Sequence, residues 1–158
     1  MTEYIDYIII IVVIILTIYF IYYGVSKYLE KQSKTVQGIK AVLENYGSLK
    51  ENGIFMEYLY KEVNYSVLII KVQKGSKFTF NSKVIWEKRF GSKKYYTDQT
   101  IFSKKPGKKI VIIYPSEGPF MYHYDENEIR FTNPKEKIWD MHIIPYHQLE
   151  TVLEEGFK

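Results

Sequence analysis

The hydrophobic pattern of the chain begins with a block. From Tyr7 to Tyr23 the sequence reads YIIIIVVIILTIYFIYY, and nothing charged occurs from Tyr7 through Ser26. At about 1.5 Å of rise per residue, the stretch from Tyr7 to Ser26 covers about 30 Å, the thickness of a bilayer's hydrocarbon core. An element apolar on every face needs lipid or a large domain around it, and only about 130 residues follow. The block is therefore expected to be a single transmembrane helix. A cleaved signal peptide would need a basic leading segment and a small-residue cleavage site; here MTEYID is acidic and Tyr22-Tyr23-Gly24 follows the core, so a retained signal anchor is expected. Tyr4, Tyr7, Tyr19, Tyr22, Tyr23 and Tyr28 gather toward its ends, where amphipathic rings favour the headgroup layer.

After Ser26 the pattern turns to a helical period. Leu29, Val36 and Leu43 share one heptad position, and Gln32, Ile39 and Tyr46 another, which predicts an amphipathic helix over 27–47 that continues the span and stops at Gly47. Glu30 with Lys34, and Lys40 with Glu44, are spaced to pair across one turn. The stripe Leu29, Val36, Ile39, Leu43 and Tyr46 has two uses: packing on the chain's own sheet, or self-association with another copy as a short stalk.

From Gly53 onward the period drops to two. Ile54–Lys61 and Tyr65–Gln73 read as an antiparallel hairpin turning near Val63 and Asn64, and SVLIIKV, apolar on both faces, belongs at the centre of a sheet. Further strands are expected at 77–81, 83–90, 95–102, 109–114, 119–124, 128–132 and 137–144, separated by KGSK, GSKK, KKPGKK, PSEG, DENE and NPKEK. Pro145 breaks the last, and Leu149, Val152 and Leu153 then mark a short closing helix ending at Gly156. The expected fold class is α+β. It comprises a tail and transmembrane helix (1–26), a juxtamembrane amphipathic helix (27–47), and a β-rich domain (48–158) with a mainly antiparallel meandering sheet of seven or eight strands and a C-terminal helix. In outline this resembles the curved-sheet-plus-terminal-helix plan of pleckstrin-homology-like domains. No residue motif carries that resemblance, and no site follows from it.

Charge changes the picture more than composition does. All 22 basic residues lie after Ser26. The stretch from Lys71 to Ile110 holds twelve of them, Lys71, Lys74, Lys77, Lys83, Lys88, Arg89, Lys93, Lys94, Lys104, Lys105, Lys108 and Lys109, against Glu87 and Asp98 alone, a net +10. From Val111 to the end, four basic residues face nine acidic ones, a net −5. Lys27, Lys31 and Lys34 follow the span and no Lys or Arg precedes it, so the positive-inside rule places the N-terminus outside and the domain in the cytoplasm. A basic block tethered there has the anionic leaflet as its nearest partner, at about 1 kcal/mol per cation near the surface. Lys outnumbers Arg eleven to one in the block, which argues against nucleic acid, since Arg is the better reader of phosphates and bases. The acidic last third suits the basic block of a second copy, so a homo-oligomer joins a protein partner and anionic lipid headgroups among the expected partners.

Recognisable chemistry is sparse. There is no cysteine, no glycine-rich phosphate loop, no GxSxG and no HExxH, and Glu87-Lys88-Arg89 puts Arg where a nuclease pattern would want Lys. No cofactor is expected. His123 and Asp125 alternate on one predicted strand, and His142 would join them if the last strands paired, giving a candidate metal site of oxygen and nitrogen donors. Asp140 beside His142 is a candidate acid–base pair. The leading expectation is a membrane-anchored, non-enzymatic interaction or scaffold subunit using the basic surface. An enzyme or metal-binding domain built on the late His/Asp cluster is the alternative, and an extracytoplasmic subunit of a surface assembly follows if the topology is reversed.

Overall fold

The structure, a computed structural model, describes residues 2–157, with side chains from Tyr7 onward, so the anchoring role expected of Tyr4 lies outside the described side chains. The chain divides between Gly38 and Ile39 into two compact units.

The first unit is helical. Helix α1 (Thr2–Tyr46) runs without a break from the apolar block into the amphipathic stretch, and residues 39–46 belong to the second unit. It is long and apolar enough to cross a membrane, and none of its most apolar eighteen-residue window is buried. Within that stretch Thr17 donates its hydroxyl to the Val13 carbonyl at 2.8 Å, which keeps its polar atom satisfied inside the helix. Glu30 pairs with Lys34 at 2.7 Å, as the spacing predicts. Lys40 departs from it and pairs with Glu51 instead of Glu44.

The second unit holds eleven strands in two mixed sheets. Its elements are β1 (Ser48–Asn52), β2 (Phe55–Tyr60), β3 (Val63–Val72), β4 (Lys77–Phe80), β5 (Ile85–Phe90), β6 (Lys93–Asp98), α2 (Thr100–Lys104), β7 (Lys108–Pro115), β8 (Phe120–Asp125), β9 (Glu128–Phe131), β10 (Lys137–Ile138), β11 (Met141–Pro145) and α3 (Leu149–Glu155), the last entered through a 3-10 turn. The first sheet has the order β1-β2-β3-β7-β11-β10, and the second β6-β5-β4-β8-β9. Pairs β3·β7, β7·β11 and β4·β8 are parallel. The expected antiparallel meander of seven or eight strands is thereby corrected, and the architectural resemblance that rested on it lapses.

The physical reason lies in β3 and β7. Both are apolar on successive positions, so both need cover on two faces, and placing them side by side at the centre of one sheet satisfies both. The chain between them leaves that sheet, builds β4–β6 and α2, and returns. Segments β3–β4 and β7–β8 thus pass from sheet to sheet alongside each other, joined at the crossing by Ser116 N–H donating to the Val72 carbonyl at 3.1 Å.

Smaller corrections have local causes. The hairpin turns at Lys61-Glu62, with φ of +46° and +63°, ahead of the expected Val63-Asn64. The predicted strand 95–102 divides into β6 and α2, and 137–144 is cut by Trp139 at φ +58°. Strand β1, reading SLKEN, is polar and mostly exposed, so it carries no periodic signal.

One core joins the sheets: Phe78, Phe80, Trp86 and Phe120 from the second meet Val72, Val111, Ile113, Met141 and Ile143 from the first, with Phe102 of α2. Phe80 and Trp86 rings pack edge-on at 4.9 Å. The first sheet's other face carries buried Tyr58, Val67, Ile110 and Ile112, and Leu149, Val152 and Leu153 of α3 are buried likewise. Tyr60 Oη donates to the Leu153 carbonyl at 2.5 Å and Tyr46 Oη to Glu154 at 2.9 Å, tying α3 to β2 and to the end of α1. Gly47 permits this closeness, since a Cβ there would stand 2.3 Å from the Leu59 carbonyl oxygen. Ile39 and Leu43 have no exposed surface, whereas Leu29 is 56% exposed. The heptad stripe therefore divides: Ile39 and Leu43 are core of the domain and unavailable to another copy, while Tyr46 is half-buried.

Candidate functional site

The twelve cations of the basic block do not form one patch. Lys109 is 1% exposed and pairs with Asp140, while Lys83 Nζ stands 3.1 Å from the other Asp140 oxygen. Lys74 pairs with Glu117 at 3.0 Å. Lys105 Nζ lies 4.8 Å from the centroid of Phe55 and Lys108 Nζ 6.0 Å from that of Tyr65. Lys71 is partly buried in β3, Lys104 ends α2, and Lys88 and Lys93 lie on β5 and β6.

What remains is a row. The register sets Lys77 opposite Arg89 and Arg89 opposite Lys94, so three cations stand side by side across β4, β5 and β6, about 4.8 Å apart from strand to strand. They share the face that points away from the core, because Phe78 and Phe80 alternate to the inside. Arg89 also grips Glu87 through Nη2 at 2.9 Å and Nε at 3.2 Å. Burial alone would push the Glu87 carboxyl up, but Arg89, with Tyr96 and Asn81, outweighs it and holds the group below the usual carboxylate range.

The late histidines and acids separate. A register irregularity between His123 and Asp125 breaks the alternation expected to put them on one strand face. They line a cavity of about 420 Å³ with Tyr122, Tyr124 and Trp139, whereas His142 lines another. Among the described residues no group of three or more His, Cys, Asp or Glu is placed to hold a metal. The Asp140–His142 pair is also corrected. Asp140 is taken by Lys109 and Lys83, whose ammonium groups overcome the upward push of burial and keep its carboxyl low.

His142 sits on the helix-covered face of the first sheet, beside Lys137 of β10 and Ile110 of β7. It has no exposed surface, and neither ring nitrogen has a hydrogen-bond partner. An orphaned buried polar group of this kind costs about 1–3 kcal/mol. Its ring packs 4.2 Å from Phe157 and 6.5 Å from Tyr65. Burial pushes the imidazole down to about 4; the Pro134 carbonyl pulls the other way without reaching hydrogen-bond geometry, and Lys137 and Lys108 add to the depression. At neutral pH the ring is uncharged, with one N–H donor and one bare acceptor. The cavity it lines, about 380 Å³, is bounded also by Tyr60, Lys61, Val63, Tyr65, Lys108, Lys137, Glu155, Gly156 and Phe157.

No protein-family model, curated protein or solved structure matches the chain. Its function is therefore argued from its own residues.

Two arrangements can act on a ligand: the cationic row on the second sheet and the lysine-rimmed cavity at the end of the first. Lys61, Lys137 and Phe157 were missed by sequence reasoning, because all three lie outside the basic block by position and converge only through the parallel topology. The apolar neighbours of His142 in DMHIIP were the available signal for a buried histidine.

Proposed function

We propose that this chain is a membrane-anchored, non-enzymatic binding domain whose outer second-sheet face, centred on Lys77, Arg89 and Lys94, docks on anionic lipid headgroups. The row of cations in direct cross-strand register carries the reading. Like charges set opposite one another destabilise a sheet, and of the three cations, among the described residues, Arg89 is the one that makes an ion pair on that face. An external anionic surface offsets that cost, at about 1 kcal/mol per cation. The apolar helix would supply the tether, and the lysines that follow it support a cytoplasmic side for the domain.

The test uses the absence of native cysteine. An environment-sensitive fluorophore on Ser92→Cys, at the β5–β6 turn beside the row, is followed with the full chain in nanodiscs. Its emission is expected to shift to the blue in discs containing anionic lipid, to revert at high salt, and to stay unshifted in a Lys77→Glu/Lys94→Glu background. Equal emission in neutral and anionic discs overturns the reading. Topology is checked separately: a Thr2→Cys label accessible to an impermeant reagent in intact cells is expected, and labelling only after lysis reverses the orientation.

A further inference from the structure

We infer that the cavity around His142 is a binding site for a phosphorylated polyol. This goes beyond the surface contact proposed above and involves none of the residues of the cationic row.

Three observations converge on that chemistry. Lys61 from the β2–β3 turn, Lys108 from the start of β7 and Lys137 from β10 bring three ammonium groups to one opening of about 380 Å³. Ammonium groups are compact point charges suited to phosphate oxygens. Glu155, the acid on the rim, is already engaged by Lys135 and does not cancel them. The turn that delivers Lys61 is held with both central residues, neither of them glycine, at positive φ. Such strained positions persist where the surroundings fix them, and they gather at ligand sites.

The second observation is the orphaned histidine. His142 is wholly buried, both its nitrogens lack partners, and its side chain forms part of the cavity wall. A neutral imidazole presents one donor and one acceptor, and a fully ionised phosphate, which only accepts, can satisfy one of them. A hydroxyl on the same ligand satisfies the other. The ligand that completes the site therefore carries phosphate and hydroxyl together.

The third is the aromatic lining. Tyr65 offers an apolar shelf for the C–H faces of a sugar or polyol, and the Phe157 ring, its centroid 5.3 Å from that of Tyr65, closes that shelf. Phe157 also covers the imidazole at 4.2 Å and 31°. Gly156, at φ +86°, carries the chain from α3 to Phe157, and on this proposal the ligand displaces the Phe157 ring to reach His142.

Equilibrium dialysis of labelled glucose phosphate against the full chain in neutral-lipid nanodiscs tests this. Saturable binding is expected. It should weaken about tenfold or more in His142→Phe and in Lys108→Gln, and tighten severalfold in Phe157→Ala, an increase that loss of packing alone would not give. Inorganic sulfate and unphosphorylated glucose should each compete at least about tenfold more weakly than glycerol phosphate. Should His142→Phe fail to fold, Lys108→Gln, at an exposed position, decides alone. Discs containing phosphatidylglycerol separate the sources: reduced glucose phosphate affinity there assigns the site to a lipid headgroup, and unchanged affinity to a soluble phosphate. Sulfate competing as well as glycerol phosphate overturns the inference, as does absence of saturable binding, in wild type and Phe157→Ala alike, for both phosphates and the headgroup.

Discussion

A histidine held neutral by burial makes the domain lose stability as the pH falls, and His142 allows the size and window of that loss to be stated. Its folded value is about 4 against an ordinary 6.5. Below 6.5 the unfolded chain takes up a proton that the folded domain refuses, so unfolding is favoured progressively from pH 6.5 down to about 4 and no further below that. At about 1.4 kcal/mol per tenfold change in proton affinity, the drop bounds the loss at about 3.4 kcal/mol. Solvent entering the open mouth of the cavity screens the charge, which brings the expectation to about 2 kcal/mol. The assay is urea unfolding of the full chain in detergent, followed by fluorescence of fully buried Trp86, at pH values between 7 and 4.5. Carboxylates with depressed values, Asp140 and Glu87 among them, begin to lose their contribution only near the ordinary values of 3.8 and 4.5, at the acid end of this range, and do so in both proteins alike. His142→Phe is the reference, because it removes the titrating group and leaves no orphaned polar atom; it should be about 1–3 kcal/mol more stable than wild type at pH 7. The gap between the two proteins should widen by about 2 kcal/mol toward pH 4.5. Parallel stability curves, or a wild type that gains on the variant in acid, would refute the buried neutral imidazole.

The other perturbations test the frame around that site. Asp140→Ala strands the buried Lys109 ammonium and should cost about 3 kcal/mol or more, most of it recovered in Lys109→Met/Asp140→Ala; urea midpoints of the three proteins check this. Gly47→Ala drives a Cβ to within 2.3 Å of the Leu59 carbonyl and should lower stability by about 2 kcal/mol, read from the thermal midpoint. Glu62→Gly relieves a positive-φ position in the β2–β3 turn and should raise the same midpoint, by the equivalent of about 0.5–1 kcal/mol.

Features with a local cause were legible in the sequence. The apolar helix, the β2–β3 hairpin, the central place of β3 and the closing helix each follow from periodicity or from capping residues within a few positions. The pairing of β3 with β7 was not legible, because a buried apolar strand carries no mark of which neighbour covers it or in which direction that neighbour runs. That single pairing turned a meander into two mixed sheets. The heptad stripe shows the same limit: Leu29 and Leu43 look equivalent in sequence, yet only Leu43 enters the core. The basic block is visible in the sequence as a surplus of charge, but its division among core, paired and surface positions depends on alternation in strands whose register a sequence does not state.

Asp140 and His142 show what this topology does with polar groups. They are two residues apart and look like partners, yet one is saturated and the other bare. Asp140 lies where β11 begins beside β7, close enough to meet Lys109 from the first sheet and Lys83 from the β4–β5 connection of the second, so its charge joins the sheets. A carboxylate with two ammonium partners is held ionised and has no proton to offer neutral chemistry. His142 lies where the same strand meets the aromatic residues of β3 and the segment after α3, and apart from the Pro134 carbonyl, which falls short of hydrogen-bond geometry, the groups acting on it are apolar or cationic. Among the described residues no carboxylate orients its ring, so it lacks the partner that makes an imidazole an effective general base. The separation removes the acid–base pair and leaves a lysine-rimmed, partly apolar pocket around a ring whose nitrogens have no partner, the feature on which the proposed ligand site rests.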